Sequence, residues 1–133
     1  MNDLITLLLE KSDRALEDAQ YLYFERKSYE ASISRAYYAM FYAAEAALLT
    51  KGETTVTHKG LSMLFSKHFI KGGLLEPEYG RMLSNVFRQR QLSDYEIRFE
   101  ANAQDADLVI DNAESFIQRI KSLLADPLHS LAS

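Results

Sequence analysis

The scarcity and placement of proline constrain this chain more than any other feature. Proline lacks a backbone donor and clashes with the preceding turn, so it interrupts helix interiors. Among 133 residues only Pro77 and Pro127 occur, each where a helical pattern begins or has ended, so long helices can run unbroken. Five such patterns follow. From about Asp3 to Glu25, Leu4, Leu8, Ala15, Ala19 and Leu22 recur at spacings built from three and four, one stripe of a helix. The second runs from Ser28, a suitable N-cap, to Leu49 or Thr50, with Lys51-Gly52 ending it. Its main stripe is Ile33, Tyr37, Met40, Phe41, Ala44, Ala47 and Leu48. Tyr38, Tyr42, Leu49, Ala39, Ala43 and Ala46 cover the opposite side, so the helix is apolar nearly all round and is expected at the centre.

The third pattern, about His58 to Ile70, buries Leu61, Leu64, Phe65 and Phe69 and stops at Lys71-Gly72-Gly73. The fourth starts with Pro77 in the first helical position and reaches about Tyr95, with Leu83, Val86 and Phe87 facing inward. The fifth, about Ala103 to Ala125, repeats Ala106, Val109, Ile110, Ala113, Phe116, Ile117, Ile120 and Leu124. Short connections favour antiparallel neighbours. The expected fold is all-α, a five-helix up-and-down bundle forming a single domain over residues 1–133.

Several chemistries are excluded or disfavoured. Cysteine is absent, which removes disulfides, thiolate metal sites and cysteine nucleophiles. No glutamate has a histidine three residues later, so the di-iron pattern of helical bundles is missing, and no His-x-x-x-His pair exists among His58, His68 and His129. Asp105, Asp107 and Asp111 lack the glycine and final glutamate of a calcium loop and suit the first turns of a helix, where the dipole favours them. No phosphate-binding glycine motif is present, and neither a metal nor a cofactor is expected. Apolar runs are too short for a membrane span, and no secretory signal is visible, so a cytoplasmic location is expected.

The net charge is −4, which disfavours a surface that binds nucleic acid everywhere. Between Lys51 and Arg98, however, eight basic residues stand against five acidic ones, a local +3 that leaves −7 for the rest. That middle is either a local anion-facing surface or ordinary mixing of helix-surface charge.

Arg90 and Asp94 lie seven and eleven residues beyond Leu83, offsets that bring both charges back onto the apolar stripe of the fourth helix. A charge on a buried stripe has to be paired or solvated. Two readings follow: a structural ion pair, or a polar floor formed by Arg90, Asp94 and Tyr95 that holds a phosphate or a base. On the second helix Arg35, Tyr38, Tyr42 and Glu45 form a polar-aromatic face, suited to association or to base stacking. His58, opening the third helix, is placed to cap free amides there, to lie on the surface or to act on protons.

Three segments carry a resemblance: Ser34-Arg35-Ala36-Tyr37-Tyr38-Ala39-Met40-Phe41, His58-Lys59-Gly60-Leu61, and Arg90-x-x-x-Asp94-Tyr95. Together, in this order and over nearly the whole chain, they resemble the HEPN family. The resemblance implies a five-helix bundle, often a homodimer, and in many prokaryotic members a minimal nucleotidyltransferase partner within a toxin-antitoxin pair. Catalytic members are metal-independent ribonucleases with an arginine followed after four to six residues by histidine. Neither Arg88 nor Arg90 has that histidine; Asp94 and Tyr95 stand in its place. An ionised aspartate cannot donate a proton to a departing ribose oxygen. The expected role is therefore a binding component that contacts RNA or nucleotide through Arg90, Tyr95, Tyr38 and His58 and dimerises through Arg35, Tyr38, Tyr42 and Glu45. The alternatives are a ribonuclease with a substituted site, drawing on Arg90, Asp94 and Tyr95, and a purely structural interaction module.

Overall fold

In a computed structural model residues 2–126 are described; Pro127 and His129 lie outside them. Five helices follow one another: α1 (Asp3–Tyr21), α2 (Tyr29–Leu49), α3 (His58–Phe65), α4 (Pro77–Tyr95) and α5 (Ala103–Ala125). No strand occurs among the described residues. The expected bundle is present, with boundaries close to those read from the sequence. Two helices end in a widened π-helical turn, α1 through Leu22–Arg26 and α3 through Ser66–Ile70.

The ends are set by local chemistry. Asn2 accepts a hydrogen bond from the Leu4 amide at 2.7 Å and so caps α1. Lys27, in the left-handed region with φ 52°, closes the turn after α1. Gly52, at φ 72°, takes the same conformation past α2, where a side chain would be strained. Ser28 occupies the N-cap position of α2, but its side chain makes no capping bond. Asn102 and Asp105 form a reciprocal capping box at the start of α5, which accounts for one of the acidic residues clustered there.

α2 is the centre. Ala36, Ala39, Ala43, Ala44, Ala46 and Ala47 are fully buried, together with Ile33, Met40 and Leu48. Such small side chains let neighbouring backbones approach closely enough for side chains to reach across to carbonyls. The Ser12 hydroxyl of α1 donates to the Ala39 carbonyl at 2.6 Å, and the Ser32 hydroxyl of α2 donates to Ala19 at 2.8 Å. Both hydroxyls are buried and satisfied. These pairs run α1 and α2 antiparallel. The Arg90–Tyr38 and Ser34–Asp94 contacts do the same for α4 and α2. Lys121–Asp13 and Gln20–Glu114 set α5 antiparallel to α1 and hence parallel to α2. A second cluster of Phe65, Phe69 and Phe116 locks α3 to α5.

One stripe differs from the expectation. The buried face of α1 is Ile5, Ser12, Ala15 and Ala19, while Leu4 is 53% exposed and Leu8 only partly covered. Close approach to the alanines of α2 selects the small residues of α1 and turns the bulkier leucines to the flank.

The tightness of this contact is testable. Ala43→Leu forces extra volume into a closed helix interface and is expected to cost about 1–3 kcal/mol, read by urea denaturation. Unchanged stability would show that the α2 interior has room to spare.

Candidate functional site

At the end of α4, Arg90 reaches across to α2 and sits among aromatic rings. Its guanidinium carbon lies 5.2 Å from the ring centre of Tyr38, 5.3 Å from Tyr95, 5.4 Å from Tyr37 and 5.9 Å from Phe87. The negative face of an aromatic ring attracts a cation, worth about 0.5–1 kcal/mol at exposed positions and more where water is excluded. Nη2 donates to the Tyr38 hydroxyl at 2.8 Å and to the Tyr95 hydroxyl at 3.2 Å. Nε lies 3.3 Å from Asp94 Oδ2, yet it is buried and not aligned to donate, so this contact is Coulombic and not a hydrogen bond. Asp94 Oδ2 instead accepts from the Ser34 hydroxyl at 3.0 Å. Among the described residues Nη1 makes no hydrogen bond.

The pair is neither buried nor open. The Arg90 side chain is 13% exposed and that of Asp94 29%. The cation of this pair is well covered and the carboxylate stands at the rim. Tyr95 is 69% exposed and presents most of its ring to solvent.

His58 joins from α3. Its ring stacks on Phe87 at 3.5 Å and 2° between planes, and Nδ1 lies 3.0 Å from the Tyr37 hydroxyl. Burial pushes the Tyr37 phenol well above its ordinary value, so it stays protonated and shares one hydrogen bond with Nδ1. Burial, and then the positive charge of Arg90, push the His58 pKa below 6.5, which favours the neutral imidazole. His58 does not cap α3. Thr57 does so, accepting from the Gly60 amide at 3.0 Å, and a β-carbon on Gly60 would collide with Thr55 Oγ1. The imidazole is turned inward because Tyr37 and Phe87 offer it a partner and a stacking surface that the helix end does not.

A family model, the HEPN domain, matches residues 5–123. The chain belongs to the HEPN family. A Methanocaldococcus jannaschii protein named "Putative toxin MJ0605" is 36% identical over 124 residues, 93% of this chain and 91% of the relative. A second protein of that organism, "Putative toxin MJ0142", is 32% identical over 88% of this chain and 79% of its own length. A UPF0332 protein of Archaeoglobus fulgidus is 36% identical over 90% of this chain and 94% of its own.

In this HEPN chain the structure brings Tyr38, Arg90, Asp94 and Tyr95 into direct contact and sets His58 beside them through Tyr37 and Phe87. Arg35 lies over Tyr38 at 5.6 Å, extending the cluster along α2. Tyr42 is 6.3 Å from Tyr38 and carries Lys11 of α1 over its ring at 4.7 Å. Glu45 lies apart, in a leucine-lined pocket nearer the start of α1. A cleft of about 630 Å³ between α1 and α5 shares no residue with the cluster, and its cations are already paired, Arg119 with Glu76 and Lys121 with Asp13. Among the described residues no helix is long and apolar enough to cross a membrane.

Three residues of the site escape sequence reasoning: Ser34, Tyr37 and Phe87. The last two sit on apolar stripes and read as core. A signal did exist for Ser34, because the four-residue step from Ser34 to Tyr38 matches that from Arg90 to Asp94, and antiparallel helices pair such steps.

The His58 environment predicts a pH dependence. With the folded pKa below 6.5, the unfolded chain protonates first as pH falls. Stability present above pH 6.5 is therefore lost as pH drops through the folded value. His58→Asn keeps an acceptor near Nδ1 but cannot titrate there, and thermal melts from pH 7.5 to 5 should show a shallower decline. An identical slope in both proteins would contradict the neutral imidazole.

Proposed function

We propose that this protein is the HEPN component of a toxin-antitoxin-type pair. It contacts RNA or a nucleotide through the Arg90 surface, dimerises through the α2 face carrying Arg35, Tyr38 and Tyr42, and acts with a nucleotidyltransferase. The observation that carries the reading is the state of Arg90. Rings and phenols fix the guanidinium, while its Nη1 donors remain unspent beside the exposed ring of Tyr95. A phosphate can accept from those donors and a base can stack on the ring. The local positive charge between Lys51 and Arg98 supports the same ligand. Two relatives carry the word toxin in their names, which supports the pairing.

A second reading rests on His58. A neutral imidazole held close enough to feel the Arg90 charge is a proton acceptor beside a phosphate-binding cation. In that reading the chain is a ribonuclease with a substituted motif, Arg90 stabilising the negative charge on the phosphate oxygens and His58 or Tyr95 moving the proton.

Fluorescence anisotropy with a labelled single-stranded RNA at low salt tests the surface. Arg90→Gln should weaken binding about ten-fold or more and reduce the salt slope by about one. Equal affinity in both proteins removes Arg90 from the ligand surface. Asp94→Asn should change stability by no more than about 1 kcal/mol, since the carboxylate is partly solvated, and should tighten RNA binding by relieving repulsion of phosphate. A collapse of stability would make the pair purely structural. Static light scattering decides the dimer: a monomeric mass across micromolar concentrations excludes it.

A further inference from the structure

We propose that the pocket between the start of α1 and the end of α2 receives a lysine side chain from a basic protein partner. The cavity holds about 170 Å³. Leu8, Leu48 and Leu49 form its walls, with Glu45, Glu53 and Thr54 among the polar groups that line it. Leu48 is fully buried, so one wall belongs to the core and does not yield.

Glu45 is the anomaly. Its carboxylate is half-buried beside leucines, and among the described residues it makes no hydrogen bond and no ion pair within 4 Å. Burial raises its pKa, and Lys11, the cation that acts on it, lies over the Tyr42 ring at 4.7 Å. Glu53 adds a second negative charge, held 2.8 Å from His68 Nε2. A pocket with apolar walls and two carboxylates matches one kind of group, a compact cation on an aliphatic stem.

Lysine has that form: four methylenes to lie along the leucines and an ammonium to meet the carboxylates. The alternatives fit less well. A phosphate would meet two like charges, and a wholly apolar side chain would bury Glu45 further without a partner. A second copy of this chain carries a net charge of −4 and is a poorer electrostatic match than a basic protein. The assignment moves Glu45 from the homodimer face expected from the sequence to a different partner. It is independent of the Arg90 surface, which shares no residue with this pocket.

The test is an NMR titration of leucine methyl groups in the intact protein with three probes. These are n-butylammonium, Nα-acetyl-lysine methylamide, which places the same group in a peptide setting, and uncharged n-butanol. Both ammonium compounds should shift Leu8, Leu48 and Leu49 saturably, and butanol should bind about five-fold more weakly or worse. Glu45→Gln should weaken ammonium binding by a similar factor while melting at the same temperature or higher, because it removes a half-buried unpaired charge. Butanol binding as well as butylammonium, or undiminished ammonium binding by the variant, would reduce the pocket to an apolar slot. Binding of butylammonium without the blocked lysine would assign the pocket to free amines. A changed self-association mass in the variant would assign it to a second copy. Either of these last results overturns the proposal. Should the variant not fold, the contrast between butylammonium and butanol on the unaltered protein decides alone.

Discussion

The close approach of α1, α4 and α5 to α2 is what the rest of the bundle depends on. A helix at the centre of three others has no solvent face to spare, and its buried positions must be small wherever a neighbouring backbone comes near. The six fully buried alanines of α2 meet that requirement. They bring α1 near enough for Ser12 to reach the Ala39 carbonyl and for Ser32 to reach that of Ala19. These two buried hydroxyls fix the axial position of α1 against α2, because a slip along the helix would leave each without its acceptor.

That same helix also carries the aromatic side of the candidate site. Tyr37 and Tyr38 are neighbours on α2 but point to different surroundings, one into the core and one along its edge. Arg90 spans both, lying over the two rings and donating to the Tyr38 hydroxyl. A guanidinium suits this position better than an ammonium, since its flat face stacks while its edge donates. The fold thus holds a cation at nearly full cover without a hydrogen-bonded carboxylate, and the Asp94 contact contributes charge more than directed bonding. His58 links α3 into the arrangement: Tyr37 orients it, Phe87 stacks on it, and the nearby Arg90 charge helps to keep it neutral.

The two outward-looking features of the molecule therefore differ in sign and in kind. One is a caged cation beside an exposed tyrosine. The other is a pair of carboxylates over leucines. Both are reached from α2, so an overpacked α2 interface would disturb the two together.

Periodicity, with the placement of proline and glycine, determined the fold class. Prolines confined to helix ends, glycines after α2 and α3, and stripes at spacings of three and four left one class of solution, and the five helices stand where those signals put them. The unusual character of Arg90 and Asp94 was legible as well, because charges at offsets of seven and eleven from Leu83 return to its face. Other properties required the tertiary structure. The rotation of α1 away from its leucines follows from how near α2 comes, which no stripe encodes. Whether His58 caps its helix or turns inward depended on Tyr37 and Phe87, residues 21 and 29 positions away in sequence. Arg90 could be recognised as an inward charge, but the four rings around it come from two helices. Their convergence is a fact of packing, since a sequence gives the direction of a side chain around its own helix and not the distance to the next one.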